Sequence, residues 1–251
     1  MRRGLQRGAD LLDVSLQKGL SILVEGTIPR GTGMGTISAG YVAGLGVAAR
    51  LAKKRVTPPE LLDALVPLGG DPAHGAAALL GGLTATVPLS LPQEPKLRQR
   101  LLRLPLHEDW HYVIALPDVQ MGTADTKRVL PPTLPHAAAA RTTGRALGVV
   151  QALERGDEDL LRACLADEVH VPYRKALVAG LHEAMLAATE AGAAGATICG
   201  HGPGLIAFTM HQGRSPEIAR AMVEAFAQKG RVATTLTLRS AFYGALPHAT
   251  Q

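Results

Sequence analysis

The sequence predicts an α+β fold, and three observations lead to that prediction. The chain has 251 residues, of which 47% are hydrophobic and only 19% charged, so it can bury a substantial core. Helical and strand-like apolar patterns are intermixed along it without a regular β-α-β alternation. Two glycine-rich segments interrupt the pattern. This arrangement favours α+β over a doubly wound parallel sheet.

The first elements are expected to be a helix, a short strand, a glycine-rich turn and a second helix. Residues 5–18 place apolar side chains on one helical stripe, and Ser21–Glu25 has the pattern of a short strand. A glycine-rich turn covers residues 28–36, after which small and apolar residues continue at helical spacing to Leu51.

A capping box marks the next helix, and a linker is expected after it. Thr57-Pro-Pro-Glu60 combines the capping box with proline at the first helical position, which predicts a helix through about Val66. A small-residue segment at 69–82 precedes a strand-like run at 83–87. Residues 92–105 have the proline and charge content of a linker, so we expect two domains, at 1–95 and 96–251.

The remaining chain mixes strands and helices. Strands are predicted at 110–116, 195–200, 205–210 and 232–238, and helices at 124–130, 136–154, 158–166, 177–191 and from Ser215 to Gly230.

Charge and composition restrict the expected partners. The formal charge is +5 and the pI is about 9.5, so acidic ligands are favoured. Aromatic residues make up only 3%, which leaves few stacking platforms for nucleic acid. The basic run Lys53-Lys54-Arg55 stands at an expected helix end, where it complements the helix dipole. We therefore expect a small anionic ligand and no nucleic-acid partner.

Neither a membrane segment nor a disulfide framework is expected. No run approaches the ~18 uninterrupted apolar residues of a membrane helix, and no secretory signal pattern is present, so we expect a cytoplasmic protein without a membrane partner. Cys164 and Cys199 lack metal-ligand spacing and are expected to be buried and unreactive.

Gly31, Gly33 and Gly35 lie between the predicted strand and helix, where backbone N–H groups can approach an anion. The segment is not a Walker loop, because no Gly-Lys-Ser/Thr follows, and it misses the dinucleotide fingerprint, because Thr36 stands where the third glycine belongs. A tight turn with close helix packing explains the same spacing. Under the phosphate interpretation, valine at Gly33 or Gly35 should block the ligand and leave the fold largely intact.

A second glycine segment, Thr197–Gly204, lies between two predicted strands and could present N–H groups toward the first. Alone, it is equally typical of a hairpin. His201 lies within it, but a lone histidine carries no catalytic assignment.

These motifs resemble those of a known family. Pro29–Ala39 is similar to the phosphate loop of GHMP kinases, whose pattern is Pro-x-Gly-x-Gly-Leu-Gly-Ser-Ser-Ala-Ala, and Gly200-His-Gly-Pro203 resembles the family's C-terminal Gly-x-Gly-Pro loop. Within the family, homoserine kinases resemble the chain at several further places. These are Ala78–Gly82, Thr123–Pro131, Arg145 with Gly156-Asp157 following, and His170–Arg174.

The resemblance implies a GHMP kinase fold. It would comprise a partial N-terminal domain similar to domain 2 of ribosomal protein S5 and a ferredoxin-like C-terminal domain. It also implies ATP-dependent phosphorylation of a small amino acid's hydroxyl, with homoserine converted to O-phosphohomoserine in threonine biosynthesis. ATP and Mg²⁺ are the implied cofactors, the substrate is a small molecule, and a homodimer is an option.

The resemblance also implies site residues. Thr36 is expected in the catalytic role and, with Asp71, as a metal ligand. Arg145 and Arg174 would bind the substrate carboxylate through their planar guanidinium groups, with Asp71 and His74 nearby. A surface ion pair is the alternative for both arginines. The expected ATP-binding residues are Pro29, Arg30, Gly31, Thr32, Gly33, Met34, Gly35, Thr36, Ile37, Ser38, Ala39, Gly200 and Gly202.

Several positions depart from the family pattern. Its paired serines correspond to Thr36 and Ile37, and its acidic magnesium ligand falls on Gly69. The family's His, Asp and Asn fall on Asp71, Ala73 and His74, and Asp71 is the better replacement ligand because Mg²⁺ prefers carboxylates. A GHMP kinase for another small alcohol and a non-catalytic ligand-binding member are therefore alternatives.

The position of the phosphate loop suggests a truncated chain. In the family this loop follows a long N-terminal section, whereas here it begins at Pro29. We expect the missing piece to lie upstream of Met1, so that this chain alone would not be a self-sufficient kinase and would be catalytically weak.

Overall fold

The structure is a computed structural model that describes residues 1–17, 19–89 and 98–245. The chain divides into two compact units. The first contains residues 1–28, 35–104 and 241–251, and the second contains residues 29–34 and 105–240. The predicted division at residues 95 and 96 stays a prediction. No helix in the described ranges combines the length and apolar character needed to cross a membrane.

In its described residues, the first unit contains four α-helices and a two-stranded sheet. The elements are α1 (Arg2–Leu12), α2 (Thr36–Ala52), α3 (Pro58–Leu65), α4 (Pro72–Leu80), β1 (Leu83–Leu89) and β2 (Arg98–Leu104). The two strands pair in antiparallel register, with Leu83 opposite Leu104. The core is formed by leucines of α2, α3 and α4, which lie at helical spacing.

Helices α1 and α2 approach closely because glycines line their contact. A Cβ added to Gly4 would lie 2.5 Å from the Tyr41 carbonyl oxygen, and one on Gly8 would lie 2.5 Å from the Ala48 Cβ. Backbone therefore packs against backbone along this helix pair, which larger residues at these positions would prevent.

The predicted capping box begins α3. The Thr57 N–H donates to Glu60 Oε2 at 2.8 Å, and the Thr57 hydroxyl donates to the same oxygen at 2.7 Å. These bonds hold the pKa of Glu60 below its ordinary value. The helix ends at Leu65, one residue before the predicted end, so the prediction is confirmed.

The second unit is built around a four-stranded antiparallel sheet. Its strands are β3 (His111–Pro117), β4 (Gly195–Ile198), β5 (Leu205–Thr209) and β6 (Ala233–Arg239), in the order β4-β5-β3-β6. Its helices are α5 (Thr123–Arg128), α6 (His136–Arg155), α7 (Glu158–Cys164), α8 (Val171–Arg174), α9 (Leu181–Glu190) and α10 (Ser215–Gln228).

The order of β3, α9, β4, β5, α10 and β6 is the β-α-β-β-α-β order of a ferredoxin-like domain. Alternate residues of β3 and β5 turn one face of the sheet toward α9 and α10. Val113 and Leu205 on this face pack in one core with Leu181 and Phe226. The ferredoxin-like prediction is confirmed.

Three predictions for the first unit need correction. The first helix begins at Arg2 and ends at Leu12, since Asp13 adopts a left-handed backbone with φ of 53°. Ser21–Glu25 forms no strand, because no described segment pairs with it; Leu23 is 82% exposed. Arg98–Leu104, which we expected within a linker, is strand β2, while residues 92–97 of that linker lie outside the described residues.

Candidate active site

The N-terminus of α2 has the geometry of an anion site. Gly35 is the residue before the helix and has a left-handed backbone with φ of 78°. The first intrahelical bond runs from the Ala39 N–H to the Gly35 carbonyl at 2.9 Å. The N–H groups of Ile37 and Ser38 precede that bond, and they add to the positive end of the helix dipole. Phosphate oxygens fit such a helix end.

The second half of the glycine loop packs against α4 within the first unit. A Cβ added at Gly35 would lie 2.8 Å from Cγ of His74, so the imidazole ring rests against the glycine backbone. His74 is the third residue of α4, and its side chain is 27% exposed. Glycine is needed here both for its left-handed backbone and for the space that the ring takes.

Asp71 begins α4 as its N-cap. Its Oδ1 accepts the N–H groups of Ala73 at 2.9 Å and of His74 at 3.2 Å. His74 Nδ1 lies 3.7 Å from the same oxygen. One carboxylate oxygen of Asp71 is therefore engaged by its own helix, which is the ordinary role of an aspartate in this position.

Ser38 joins the first turn of α2 to the start of α4. It is 3% exposed, and its hydroxyl accepts the Asp71 N–H at 3.0 Å and lies 3.3 Å from the Asp71 carbonyl, to which it donates. We expected Ser38 to contact ATP through its place in the loop. Its hydroxyl is instead used within the protein, whereas the neighbouring Ile37 is 65% exposed.

The first half of the glycine loop, Pro29–Met34, packs on the loop at 199–204 within the second unit. The Gly204 N–H donates to the Thr32 carbonyl at 3.0 Å, and the Thr32 hydroxyl donates to the Pro29 carbonyl at 3.0 Å. A Cβ at Gly33 would overlap the Cys199 carbonyl oxygen and lie 3.0 Å from the Gly202 nitrogen.

This contact corrects the expectation that a side chain at Gly33 would block phosphate and spare the fold. The space beside Gly33 is filled by backbone of the second loop, so close packing explains this glycine. Gly31 differs, since in the part of the chain that the structure describes nothing lies within 4 Å of an added Cβ there. Both glycines have positive φ, 73° at Gly31 and 85° at Gly33.

The second loop is held by its own backbone. The Cys199 N–H donates to the Gly204 carbonyl at 2.7 Å, and the Gly202 N–H donates to the Cys199 carbonyl at 2.7 Å. Burial raises the pKa of the Cys199 thiol to about 12, which agrees with the expected inert cysteine. The Gly202 N–H, expected at the nucleotide, is thus used inside the loop.

Arg174 is a buried cation without an ion pair among the residues that the structure describes. It is 6% exposed, and its guanidinium donates to the carbonyls of Gly200 at 3.3 Å and Thr126 at 3.4 Å. Desolvation lowers its pKa, and the charge of Asp167 partly opposes that shift. A buried guanidinium with two long bonds to neutral carbonyls retains capacity for an anion.

Arg145 is engaged differently from Arg174. Its Nη1 pairs with Glu168 and donates to the Ala166 carbonyl at 2.8 Å. Glu168 also receives two hydrogen bonds from Arg141, at 2.6 and 2.8 Å. These partners, Arg141 foremost, lower the pKa of Glu168 to about 2. Arg141 and Glu168 were not predicted as site residues, because no local pattern links residues more than 20 positions apart.

The expected metal ligands, Thr36 and Asp71, lie at the starts of two helices, α2 and α4. Within the described residues, no group of three or more His, Cys, Asp or Glu side chains is placed to hold an ion. Gly69, at the family's acidic position, has a left-handed backbone with φ of 84° and open space around it. Asp71 serves its own helix. Mg²⁺ binding by Thr36 and Asp71 therefore stays a prediction.

Comparison with known proteins identifies the family. The model for the GHMP kinases N-terminal domain matches residues 3–82, and the model for the GHMP kinases C-terminal domain matches residues 149–228. A homoserine kinase from Synechococcus sp. (strain RCC307) is 33% identical over 221 residues, which cover 88% of this chain and 68% of that relative. The chain belongs to the GHMP kinase family.

Two further relatives agree with this assignment. The homoserine kinase of Moorella thermoacetica is 33% identical over 227 residues, covering 90% of this GHMP kinase and 74% of that protein. The crystal structure of homoserine kinase from Cytophaga hutchinsonii superposes with a TM-score of 0.83 at 24% identity, covering 96% of this chain and 76% of that one. The fold is thus that of a GHMP kinase, and the enzyme is a phosphotransferase acting on a hydroxyl group.

Proposed function

We propose that this GHMP kinase transfers the γ-phosphoryl group of ATP to the side-chain hydroxyl of homoserine. The observation that carries the proposal is Arg174, a buried guanidinium that contacts the Gly200 carbonyl and has no ion pair within the described ranges. A substrate carboxylate is the partner such a group favours. The relatives at about 33% identity carry the name homoserine kinase.

In the proposed reaction the substrate hydroxyl oxygen attacks the γ-phosphorus, the bond to the bridging β,γ-oxygen breaks, and ADP leaves. The hydroxyl proton passes to solvent or to phosphate oxygen, and we assign no general base. Positioning and electrostatics carry most phosphoryl transfers, so little covalent work remains for the protein. The α2 N-terminus, with Thr36 as its first residue, would hold phosphate oxygens, and Arg174 would orient the amino acid.

Mg²⁺ stays a prediction within this proposal. When bound, it would neutralise charge on the transferred phosphoryl group. Thr36 is the remaining hydroxyl of the family's pair, while the Asp71 carboxylate caps α4. The product O-phosphohomoserine would serve threonine biosynthesis in the cytoplasm.

A non-catalytic ligand-binding role is the second candidate, and a specific observation favours it. The acidic position of the family is Gly69 here, and its nearest substitute in sequence, Asp71, has one oxygen engaged by two N–H groups. A member with these changes would bind nucleotide without turning it over.

An ATP-consumption assay separates these candidates. Homoserine, serine, mevalonate and galactose would be compared as acceptors, with ATP affinity measured in parallel by calorimetry. The proposal expects ADP formation with homoserine above all others. ATP consumption driven by another alcohol would identify that alcohol, and not homoserine, as the substrate. ATP binding without ATP consumption would favour the non-catalytic role. The Arg174→Lys variant is the matched control, because it keeps the charge and removes the planar fork.

A further inference from the structure

Ser38 is an unusual residue in the phosphate loop. It stands where the family pattern has the first of two alanines, yet it is almost fully buried and carries two polar contacts. Both contacts go to the peptide groups of one residue, Asp71, which lies 33 positions further along the chain. A serine in place of alanine has therefore acquired a specific partner.

We propose that Ser38 is a positioning residue for the nucleotide site, acting through Asp71 and His74. This inference rests on the proposed function, because it assigns phosphate to the start of α2. The Ser38 hydroxyl receives the Asp71 N–H at 3.0 Å and donates to the Asp71 carbonyl at 3.3 Å. The start of α4 is thereby held to the first turn of α2.

The second link is the carboxylate of Asp71. Its Oδ1 caps α4 through the N–H groups of Ala73 and His74, so the peptide that Ser38 holds is rigidly joined to the first turn of that helix. His74 lies within this turn, and its ring packs on Gly35. Ser38 and Gly35 are both at the start of α2, so the contacts from Ser38 through Asp71 and His74 to Gly35 form a closed ring beside the proposed phosphate position.

These contacts among Ser38, Asp71, His74 and Gly35 are distinct from the apolar packing that stabilises the same helices. The core leucines include Leu45 in α2 and Leu79 in α4, both fully buried and remote in sequence from the helix starts. Removing the Ser38 hydroxyl leaves this packing unchanged. Removing the hydroxyl releases only the contacts at the N-terminal end of α2, where the backbone N–H groups would face the phosphate. The affinity for ATP should therefore change more than the global stability.

The test compares Ser38→Ala, which restores the family residue, with Ser38→Thr, which keeps the hydroxyl. Ser215→Ala is the matched control, since Ser215 also occupies the first turn of a long helix, is 2% exposed, and has a hydroxyl without a partner in the described residues. ATP affinity is measured by calorimetry, denaturation midpoint by circular dichroism, and amide hydrogen exchange at the first turn of α4.

Loss of two ordinary hydrogen bonds predicts that Ser38→Ala weakens ATP binding about tenfold and speeds exchange at the Ala73 and His74 amides. Ser38→Thr should restore most of the affinity, and Ser215→Ala should bind ATP like the parent. Parental ATP affinity in Ser38→Ala, with or without a lower midpoint, overturns the positioning role alone. Failure of the parent to bind ATP overturns both this inference and the proposed function.

Discussion

Replacing Gly33 by alanine should destabilise the protein far more than the same change at Gly31. The two glycines share a left-handed backbone, with φ of 85° and 73°, so each alanine pays about 1 kcal/mol for that conformation. At Gly31 that is the whole cost, because no atom of the described residues lies within 4 Å of the new Cβ. Gly31→Ala is therefore the control for backbone strain.

At Gly33 the new Cβ also overlaps the Cys199 carbonyl oxygen and lies 2.9 Å from the carbonyl carbon. These are backbone atoms held by the Gly202–Cys199, Cys199–Gly204 and Gly204–Thr32 hydrogen bonds, so they cannot turn aside as a side chain would. Relief requires breaking about two of those bonds, at about 1 kcal/mol each. The total is about 3 kcal/mol for Gly33→Ala, against about 1 kcal/mol for Gly31→Ala.

Urea denaturation followed by circular dichroism measures both free energies of unfolding. Thermal midpoints should fall by roughly 2–4 °C for Gly31→Ala and roughly 6–12 °C for Gly33→Ala. Alkylation of Cys199, whose thiol is buried and has a pKa raised to about 12, should be slow in the parent and faster in Gly33→Ala. Equal unfolding free energies for the two variants would refute the packing of these loops.

Three further predictions follow from the other contacts. In urea denaturation, Asp71→Ala should lower the free energy of unfolding by about 1 kcal/mol, whereas Asp71→Asn, which can still cap α4, should lower it little. Equal losses of unfolding free energy in the two variants would contradict the capping role of Asp71. Carbon NMR should find the pKa of Glu168 at about 2, and the Arg141→Ala substitution should raise it toward 4.5. The pairing therefore stabilises the folded state fully above about pH 4.5, and this stabilisation is lost as pH falls through 2. A Glu168 pKa at its ordinary value would contradict the pairing. In steady-state kinetics, Arg174→Ala should raise KM for homoserine by roughly tenfold to a hundredfold and KM for ATP much less, whereas equal changes would make Arg174 structural.

Local chemistry explains which parts of the fold were predictable. The α3 start was found because Thr57 and Glu60 satisfy each other's backbone within one turn. The buried strand β3 was predicted correctly because most of its residues are apolar. The strand predicted at Ser21–Glu25 was wrong because a strand needs a neighbouring strand for its backbone hydrogen bonds, and a short apolar run alone does not provide one. Strand β2 was missed because its arginines resemble linker composition, although Gln99, Leu101 and Leu104 are partly buried.

The site shows the same division between local and long-range information. The glycine spacing and the presence of a helix after the turn were predictable from the sequence, and the loop at 199–204 was expected near the first loop. The separate duties of the glycines were not readable, since Gly33 meets backbone 166 positions away while Gly35 meets a histidine ring. The partner of Arg145 likewise lies 23 positions away in sequence, so its ion pair emerges only in the folded chain.

Phosphorus NMR of the reaction mixture tests the central proposal most directly, because it identifies the product as well as the consumption of ATP. With this chain, ATP, Mg²⁺ and homoserine, the account predicts a new phosphate-monoester resonance that grows in step with ADP and is greatly reduced with the Arg174→Ala variant. Replacing homoserine by a compound that lacks the side-chain hydroxyl should abolish the resonance. A protein that binds ATP yet yields no phosphohomoserine under these conditions would contradict the assignment as a homoserine kinase.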